Sequence, residues 1–181
     1  MSKRLTLILG GARSGKSSFA QQLARERGGD DVLFVATAEA RDEEMVSRIE
    51  KHRAARPMWT TLEAPRDVAR AVATAPRTRV VLLDCVTLWV SNVLLAGEQV
   101  REETMLCELD DLLAWYRTAS VELIVVSNEV GLGIVPADPL TRSYRDLLGT
   151  VNQRLAAAAD QVFWLVAGLP IEVKERVVQW K

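Results

Sequence analysis

Cysteine and histidine are nearly absent from this chain. Its 181 residues include only Cys85 and Cys107 of the first kind and only His52 of the second. Two cysteines with no CxxC pair and no Cys/His ligand spacing exclude a disulfide framework and a structural zinc site, and both thiols are expected to be buried. Long apolar runs are missing too. The longest uncharged stretch, Cys85 to Gly97, is interrupted by Thr87, Ser91 and Asn92, and it falls short of the ~20 apolar residues that cross a bilayer. Near the N-terminus only Leu5 to Leu9 is apolar before Gly10-Gly11, too little for a secretory signal core, so a cytoplasmic location is expected. Charge of one sign is also lacking. The 23 basic and 24 acidic residues leave a net charge of -1, which provides no bulk field for nucleic acid or anionic lipid, so neither partner is expected and any anion site has to be local. Lysine is scarce, only 5 of the 23 basic residues, which draws attention to Lys16. The other basic residues are arginine, the better bidentate ligand for phosphate. No repeat, low-complexity segment or linker divides the chain, and a composition 49% hydrophobic and 26% charged suits one globular domain over residues 1–181.

Strand and helix patterns alternate along the chain. Leu5–Leu9 is a short apolar run ending in Gly-Gly, and Phe19, Ala20, Leu23 and Ala24 then recur at helical spacing up to Gly28-Gly29. Val32–Ala36 reads as a strand, followed by an acidic helix start at Asp42-Glu43-Glu44. A brief strand from Trp59 to Glu63, a helix over Val68–Ala73 and the buried strand Val80–Asp84 come next. Two helices follow. Met105, Leu106, Leu109, Leu112, Leu113 and Tyr116 line the second, which ends before the strand Leu123–Val126. After the Gly- and Pro-rich loop Glu129–Pro136 the pattern gives a long helix from Pro139 to Ala159 and the strand Gln161–Val166, with room for a further strand after Gly168-Leu169-Pro170. Such alternation implies an α/β fold with a parallel sheet covered by helices on both faces.

Gly10-Gly11-Ala12-Arg13-Ser14-Gly15-Lys16-Ser17 satisfies G-x-x-x-x-G-K-[ST] and falls between the first strand and the first helix, where that motif works. The glycines let backbone N–H groups turn toward phosphate oxygens, Lys16 supplies positive charge, and the Ser17 hydroxyl can ligate Mg²⁺. The expected fold is therefore a P-loop NTPase-type, RecA-like, mostly parallel sheet. Asp84 closes a buried strand at the edge where open parallel sheets bind ligands. It suits a Mg²⁺ ligand first, with a cap on the next helix as the other reading, and the two roles can coexist. Because no lysine follows an asparagine, the guanine-reading N-K-x-D of switch GTPases is absent. A small metabolite kinase or nucleotidyltransferase is the class left by the motifs.

His52 lies among Arg48, Lys51, Arg53 and Arg56. At 100° per residue Met45, Val46 and Ile49 form one apolar arc with His52 at its edge, and a continuing helix would turn Arg53 and Arg56 into that arc. Arginines facing a core are costly. Either the helix ends near His52, as Pro57 suggests, or this face meets an anion. An unperturbed imidazole, pKa about 6.5, is mostly neutral at pH 7 and can attack phosphorus to form a phosphoramidate. On this ground a structural histidine and a nucleophile both remain open.

The ordered set Gly10–Ser17, Val35-Ala36-Thr37, Asp42–Met45 with Arg48, Ile49 and His52, Arg56-Pro57 with Trp59, Leu83-Asp84-Cys85 with Asn92, Ser127–Pro136 and Val151–Ala156 resembles the bifunctional adenosylcobinamide kinase/adenosylcobinamide-phosphate guanylyltransferase family. The likeness runs from Gly10 to Gly168. It implies an enzyme of cobalamin biosynthesis whose substrates are ATP or GTP, with Mg²⁺, and adenosylcobinamide and its phosphate. Phosphorylation of the aminopropanol hydroxyl would come first, then transfer of GMP from GTP through a GMP-histidine, giving adenosylcobinamide-GDP and pyrophosphate. The resemblance makes His52 the guanylylated residue, catalytic alongside the Lys16 of the loop motif, with phosphates on Gly10, Gly11, Ala12, Arg13, Ser14, Gly15, Lys16 and Ser17. It puts Ala36 and Thr37 beside the nucleotide, gives GTP contacts to Arg53, Ala54, Ala55, Arg56, Glu63 and Asp84, and implies a homotrimer. Some relatives carry Glu in place of Asp84, so its role as metal ligand or nucleotide contact stays open.

Other features have two readings each. Glu129 suits Mg²⁺ or substrate, or the bracing of its glycine loop. Arg142, Arg145 and Arg154 suit the corrinoid phosphate, or a solvated helix face. Trp59, Trp89, Trp115 and Trp164 suit a core or subunit contact, or a platform for the corrinoid, and Val86–Val90 is apolar enough for an oligomer contact. No carboxylate identifies itself by spacing as the kinase base. Two rivals to the family reading are a small-molecule kinase without a histidine adduct and a nucleotide-dependent binding module.

Overall fold

The computed structural model describes residues 3–39, 43, 45–46, 50, 58–96 and 101–178. Seven strands form one sheet in the order β3-β2-β4-β5-β1-β6-β7: β1 Leu5–Gly10, β2 Val32–Ala36, β3 Thr60–Glu63, β4 Val80–Asp84, β5 Glu122–Val126, β6 Gln161–Val166 and β7 Leu169–Glu172. β1 to β6 pair in parallel, and only β7 runs antiparallel, against β6. The short alternation after Gly168 is thus a real strand. It folds back because Ala167 and Gly168 both take positive φ, 50° and 84°, which turns the chain within two residues.

The central strands are apolar throughout because both of their faces are covered. On one face α1, Lys16–Gly28, packs Ala20 and Ala24 against Ile8, Phe34, Leu82, Ile124 and Leu165. On the other face lie α2 (Val68–Thr74), α3 (Val86–Leu95), α4 (Arg101–Thr118) and α5 (Pro139–Ala158). These bury Trp89, Met105, Leu109, Leu112, Leu148, Val151 and Leu155 against Leu7, Val81, Leu83 and Val125. Helix α5 starts at Asp138, whose carboxylate accepts the Thr141 N–H at 2.7 Å, with Pro139 in the first turn. Hydrogen bonds from Thr141 also hold the Asp138 carboxyl below its ordinary pKa.

Two expectations are corrected. Cys107 is exposed: it sits two residues, about 200°, from the buried Met105 and so faces away from the stripe. Val86–Val90 is not an outward contact, since Val86, Trp89 and Val90 lie in the chain's own core. Trp89 further donates from Nε1 to Glu108 Oε2 at 2.6 Å, tying α3 to α4. Trp59 is likewise a core residue, with its Nε1 donating to Gly29 O.

Candidate functional site

The carboxyl ends of the parallel strands gather most of the described candidate residues. Gly10 leaves β1 with φ 152°, Arg13 takes φ 56° and Gly15 φ 95°, and together these curl the segment into a loop that opens onto α1. A side chain at Gly10 would put Cβ 2.6 Å from Leu165 O and 2.8 Å from Ser14 Oγ, so only glycine fits where β1 meets the loop. The Gly168 N–H donates to Ser14 O at 2.9 Å, bracing the loop from the β6–β7 turn. Lys16, 7% exposed, folds its ammonium back across the loop, with Nζ 2.6 Å from Gly11 O and 3.4 Å from Ser14 Oγ. Helix α1 has no side-chain cap and no acidic residue in its first turn. Its leading N–H groups and positive dipole end can therefore receive an anion. The far end of α1 is pinned as well: Arg27 donates to Thr6 Oγ1, Glu122 Oε2 and Gln161 Oε1 at 2.8 to 3.1 Å, across three strands.

Ala36, Glu63 and Asp84 come together through strand register. Ala36 pairs with Glu63 on one side and with Asp84 on the other, so all three sit at one level of the same sheet edge. Thr37 follows them and plays a different part from a ligand contact through its side chain. It is fully buried; its hydroxyl donates to Cys85 O at 2.7 Å and accepts the Cys85 N–H at 2.9 Å. Asn92 Nδ2 in turn donates to Thr37 O at 2.7 Å and Pro65 O at 3.1 Å. Thr37 and Asn92 thus lace together the ends of β2, β3 and β4, leaving Ala36, Glu63 and Asp84 to present the edge. The N-cap position of α3 is taken by Cys85, and Asp84 stands one residue before it.

The Cys85 thiol is pushed up to about 11 by burial first and by the neighbouring Asp84 carboxylate second. The Tyr144 hydroxyl, which donates to Thr87 O at 3.3 Å, is also raised by burial. With the exposed Cys107 this gives an expected result. A thiol-exchange reagent at neutral pH should label one thiol per chain quickly, and Cys107→Ser should abolish that fast phase, leaving the half-buried Cys85 with its raised pKa to react slowly. The expectation of two buried thiols thus fails for Cys85 as well, which is only half-buried, and two fast thiols per chain would contradict its raised pKa.

The residues with two readings now separate. Glu129 Oε1 accepts the Gly131 N–H, so its carboxylate braces its own loop. Arg142 holds the same loop from its other end through Pro136 O and Ala137 O, while Arg145 pairs with Asp146 and Arg154 with Asp110. Between Glu129 and Arg142 the loop exposes Leu132, Ile134 and Val135. His52, Arg53, Ala54, Ala55 and Arg56, with Arg48 and Ile49, lie outside the described residues.

The donor set fits Mg²⁺. A serine hydroxyl at the start of α1 and a carboxylate at the end of β4 are hard oxygen ligands, and a site of one or two protein oxygens completed by substrate phosphate is the usual arrangement for that ion. Among the described residues no group of three or more His, Cys, Asp or Glu forms a self-sufficient metal site. Sequence reasoning had not assigned roles to Thr87, Asn92 and Asn152, all buried polar residues. The available signal was their polarity inside otherwise apolar helical stripes.

A family model described as cobinamide kinase / cobinamide phosphate guanyltransferase matches residues 6–173. The bifunctional adenosylcobalamin biosynthesis protein CobP of Pseudomonas aeruginosa is 45% identical over 170 residues, covering 93% of this chain and 96% of that protein. The bifunctional adenosylcobalamin biosynthesis protein CobU of Escherichia coli is 39% identical over 182 residues, covering 94% and 99%. Among solved structures, an ATPase from the type III secretion system of pathogenic bacteria superposes with a TM-score of 0.58 at 15% identity, over 97% of this chain and 60% of its own. The flagellar accessory protein FlaH of Methanocaldococcus jannaschii does so with a TM-score of 0.50 at 17% identity, over 92% and 74%. At such identities these two likenesses establish the P-loop ATPase fold alone.

Proposed function

Because the chain belongs to the cobinamide kinase/cobinamide phosphate guanyltransferase family, we propose that it catalyses two successive transfers in adenosylcobalamin biosynthesis, as one domain over residues 1–181. A nucleoside triphosphate first phosphorylates the aminopropanol hydroxyl of adenosylcobinamide. GTP then delivers GMP to the new phosphate, giving adenosylcobinamide-GDP. The observation that carries this reading is the loop Gly10–Ser17, with Lys16 folded across it at the mouth of α1, in a chain matched along nearly its whole length by the family.

In the proposed mechanism the N–H groups of Gly11 to Ser17 receive the phosphates, and Lys16 neutralises charge that builds up during transfer. Ser17 and Asp84 are the residues that would hold Mg²⁺, which would supply charge neutralisation and in-line orientation of the phosphates. Ala36, the backbone of Thr37, Glu63 and Arg53 to Arg56 take the rest of the nucleotide. For GMP transfer, an unprotonated ring nitrogen of His52 attacks the α-phosphorus of GTP: the N–P bond forms, the bond to the bridging oxygen breaks, and pyrophosphate leaves. A phosphate oxygen of the cobinamide phosphate then attacks the same phosphorus, the N–P bond breaks and the imidazole is restored. Inversion at each step gives net retention.

We further propose a cytoplasmic homotrimer, to be checked by sedimentation equilibrium. No described helix is long and apolar enough to cross a membrane. The test of the function is product analysis on adenosylcobinamide with ATP, GTP and Mg²⁺. Adenosylcobinamide phosphate should accumulate with ATP alone and convert to adenosylcobinamide-GDP when GTP is added. Formation of the phosphate without conversion would reduce the protein to a kinase, and neither product would reject the reading.

A further inference from the structure

β5 lies between β1, which carries the phosphate loop, and β4, which carries Asp84. The segment leaving it, Ser127-Asn128-Glu129, is held from three directions. The Ser127 and Glu129 N–H groups donate to Ile8 O at 2.9 Å and Gly10 O at 3.1 Å, so the pairing with β1 continues past the strand into the first carbonyl of the loop. The Asn128 N–H donates to Thr87 Oγ1 at 3.0 Å. From α5, Asn152 Nδ2 donates to Asn128 O at 3.0 Å.

The bonds to Asn152 and to Gly10 O share one peptide group of this segment. Asn128 O and the Glu129 N–H are the two ends of a single planar unit, so an amide that fixes the oxygen also fixes the direction of the N–H. That N–H holds Gly10 O, and Gly10 O is itself one end of the peptide whose other end is the Gly11 N–H, inside the phosphate loop. A relay of aligned dipoles runs from the Asn152 amide through two peptide planes to the loop, each hydrogen bond polarising the next. Asn152 is a poor choice for stability. It is 6% exposed and shares its helix stripe with Leu148, Val151 and Leu155. Its Oδ1 and the Ser127 hydroxyl are buried with no hydrogen-bond partner among the described residues. A leucine would fill that space and remove the unpaired Oδ1, losing only the bond to Asn128 O.

We propose that Asn152 is a positioning residue for phosphate transfer, setting the Gly10–Gly11 peptide through Asn128 and Glu129. The assignment rests on the reading of Gly10–Ser17 as the phosphate site. Asn152→Leu tests it, because this variant removes the donor while filling the stripe. Three quantities are compared with the wild-type chain: the thermal unfolding midpoint, the affinity for a non-hydrolysable imido analogue of ATP with Mg²⁺, and kcat and KM of the kinase step. The variant is expected to melt close to the wild-type temperature, because the lost bond to Asn128 O offsets the removed Oδ1, yet to lose about tenfold or more in kcat, with weaker analogue binding and faster hydrogen exchange at the Glu129 amide. Val151→Ala, a core truncation on the same helix, should melt lower and keep its kcat at temperatures where it is folded. Wild-type kcat and affinity in Asn152→Leu would overturn the proposal while leaving the phosphate site intact. Activity that tracks melting temperature across both variants would also overturn it. A wild-type chain that does not bind the analogue would reject the phosphate site, and this proposal with it.

Discussion

Lys16→Ala is expected to slow both transfers by about 10²- to 10³-fold, the range found when a single charge-stabilising donor is removed from a transfer site. The residue opens α1 and its ammonium lies over the loop, bonded to Gly11 O. The substitution therefore removes a positive charge from the point where the loop and helix N–H groups converge, and the loop loses its brace. Burial of the lysine limits the alternatives: an arginine fork is wider and flatter than the compact ammonium and cannot take the same place, so Lys16→Arg should be impaired as well. The fold should survive, because a charged group folded back on a polar loop contributes little to the core. Thermal unfolding monitored beside the two separately assayed reactions checks this. Unchanged turnover in either reaction would remove the loop from that step.

His52→Asn should divide the two activities. The side chain of asparagine is polar and of similar reach but has no nucleophilic nitrogen, so GMP transfer is expected to fall by about 10⁴-fold or more, as when the nucleophile of a covalent mechanism is lost. Phosphorylation of adenosylcobinamide should continue. The direct readout uses GTP labelled at the α-phosphate. Wild-type protein denatured after incubation should retain an acid-labile, alkali-stable label, and His52→Asn should retain none. Label on both proteins, or wild-type GMP transfer in the variant, would place the nucleophile elsewhere. The contrast with Lys16→Ala is itself informative, since a shared phosphate site affects both steps and a covalent carrier only one.

The fold was largely legible because its signals are local. The run Val80–Asp84 and the stripe Met105, Leu109, Leu112 and Tyr116 each state their element within a few residues. The order Gly-rich loop after strand, lysine at the helix start, is equally local. What could not be read depends on residues far apart in sequence. Thr37 meets Cys85 across 48 positions, Asn92 meets Thr37 across 55, and Arg27 meets Gln161 across 134. No periodicity encodes such pairs, so the part the Thr37 hydroxyl plays in holding β2 to β4 could not be read from the sequence. Glu129 and Arg142 were ambiguous for the same reason: a carboxylate that binds a cation and one that accepts a neighbouring N–H have the same sequence. Cys107 is a case of another kind. Its angle to Met105 follows from the helical period alone, and that angle outweighs the general preference of cysteine for burial.

Among the described residues, the two edge strands of the sheet are poor templates for further strands. At one side β3 is four residues long, carries Thr60, Thr61 and Glu63, and is partly exposed. At the other, β7 is also four residues long, with Pro170 lacking the N–H that a new neighbour would need, and it ends in Glu172. Short length, a proline and charge are the devices by which open sheets avoid joining edge to edge. Among the described residues, these two edge strands therefore offer copies of this chain little on which to build a sheet running continuously from one molecule into the next. An assembly, trimeric or other, has to be made by side chains meeting across helices and loops, and such a contact can close on itself at a fixed number of subunits where an extended ribbon would keep growing.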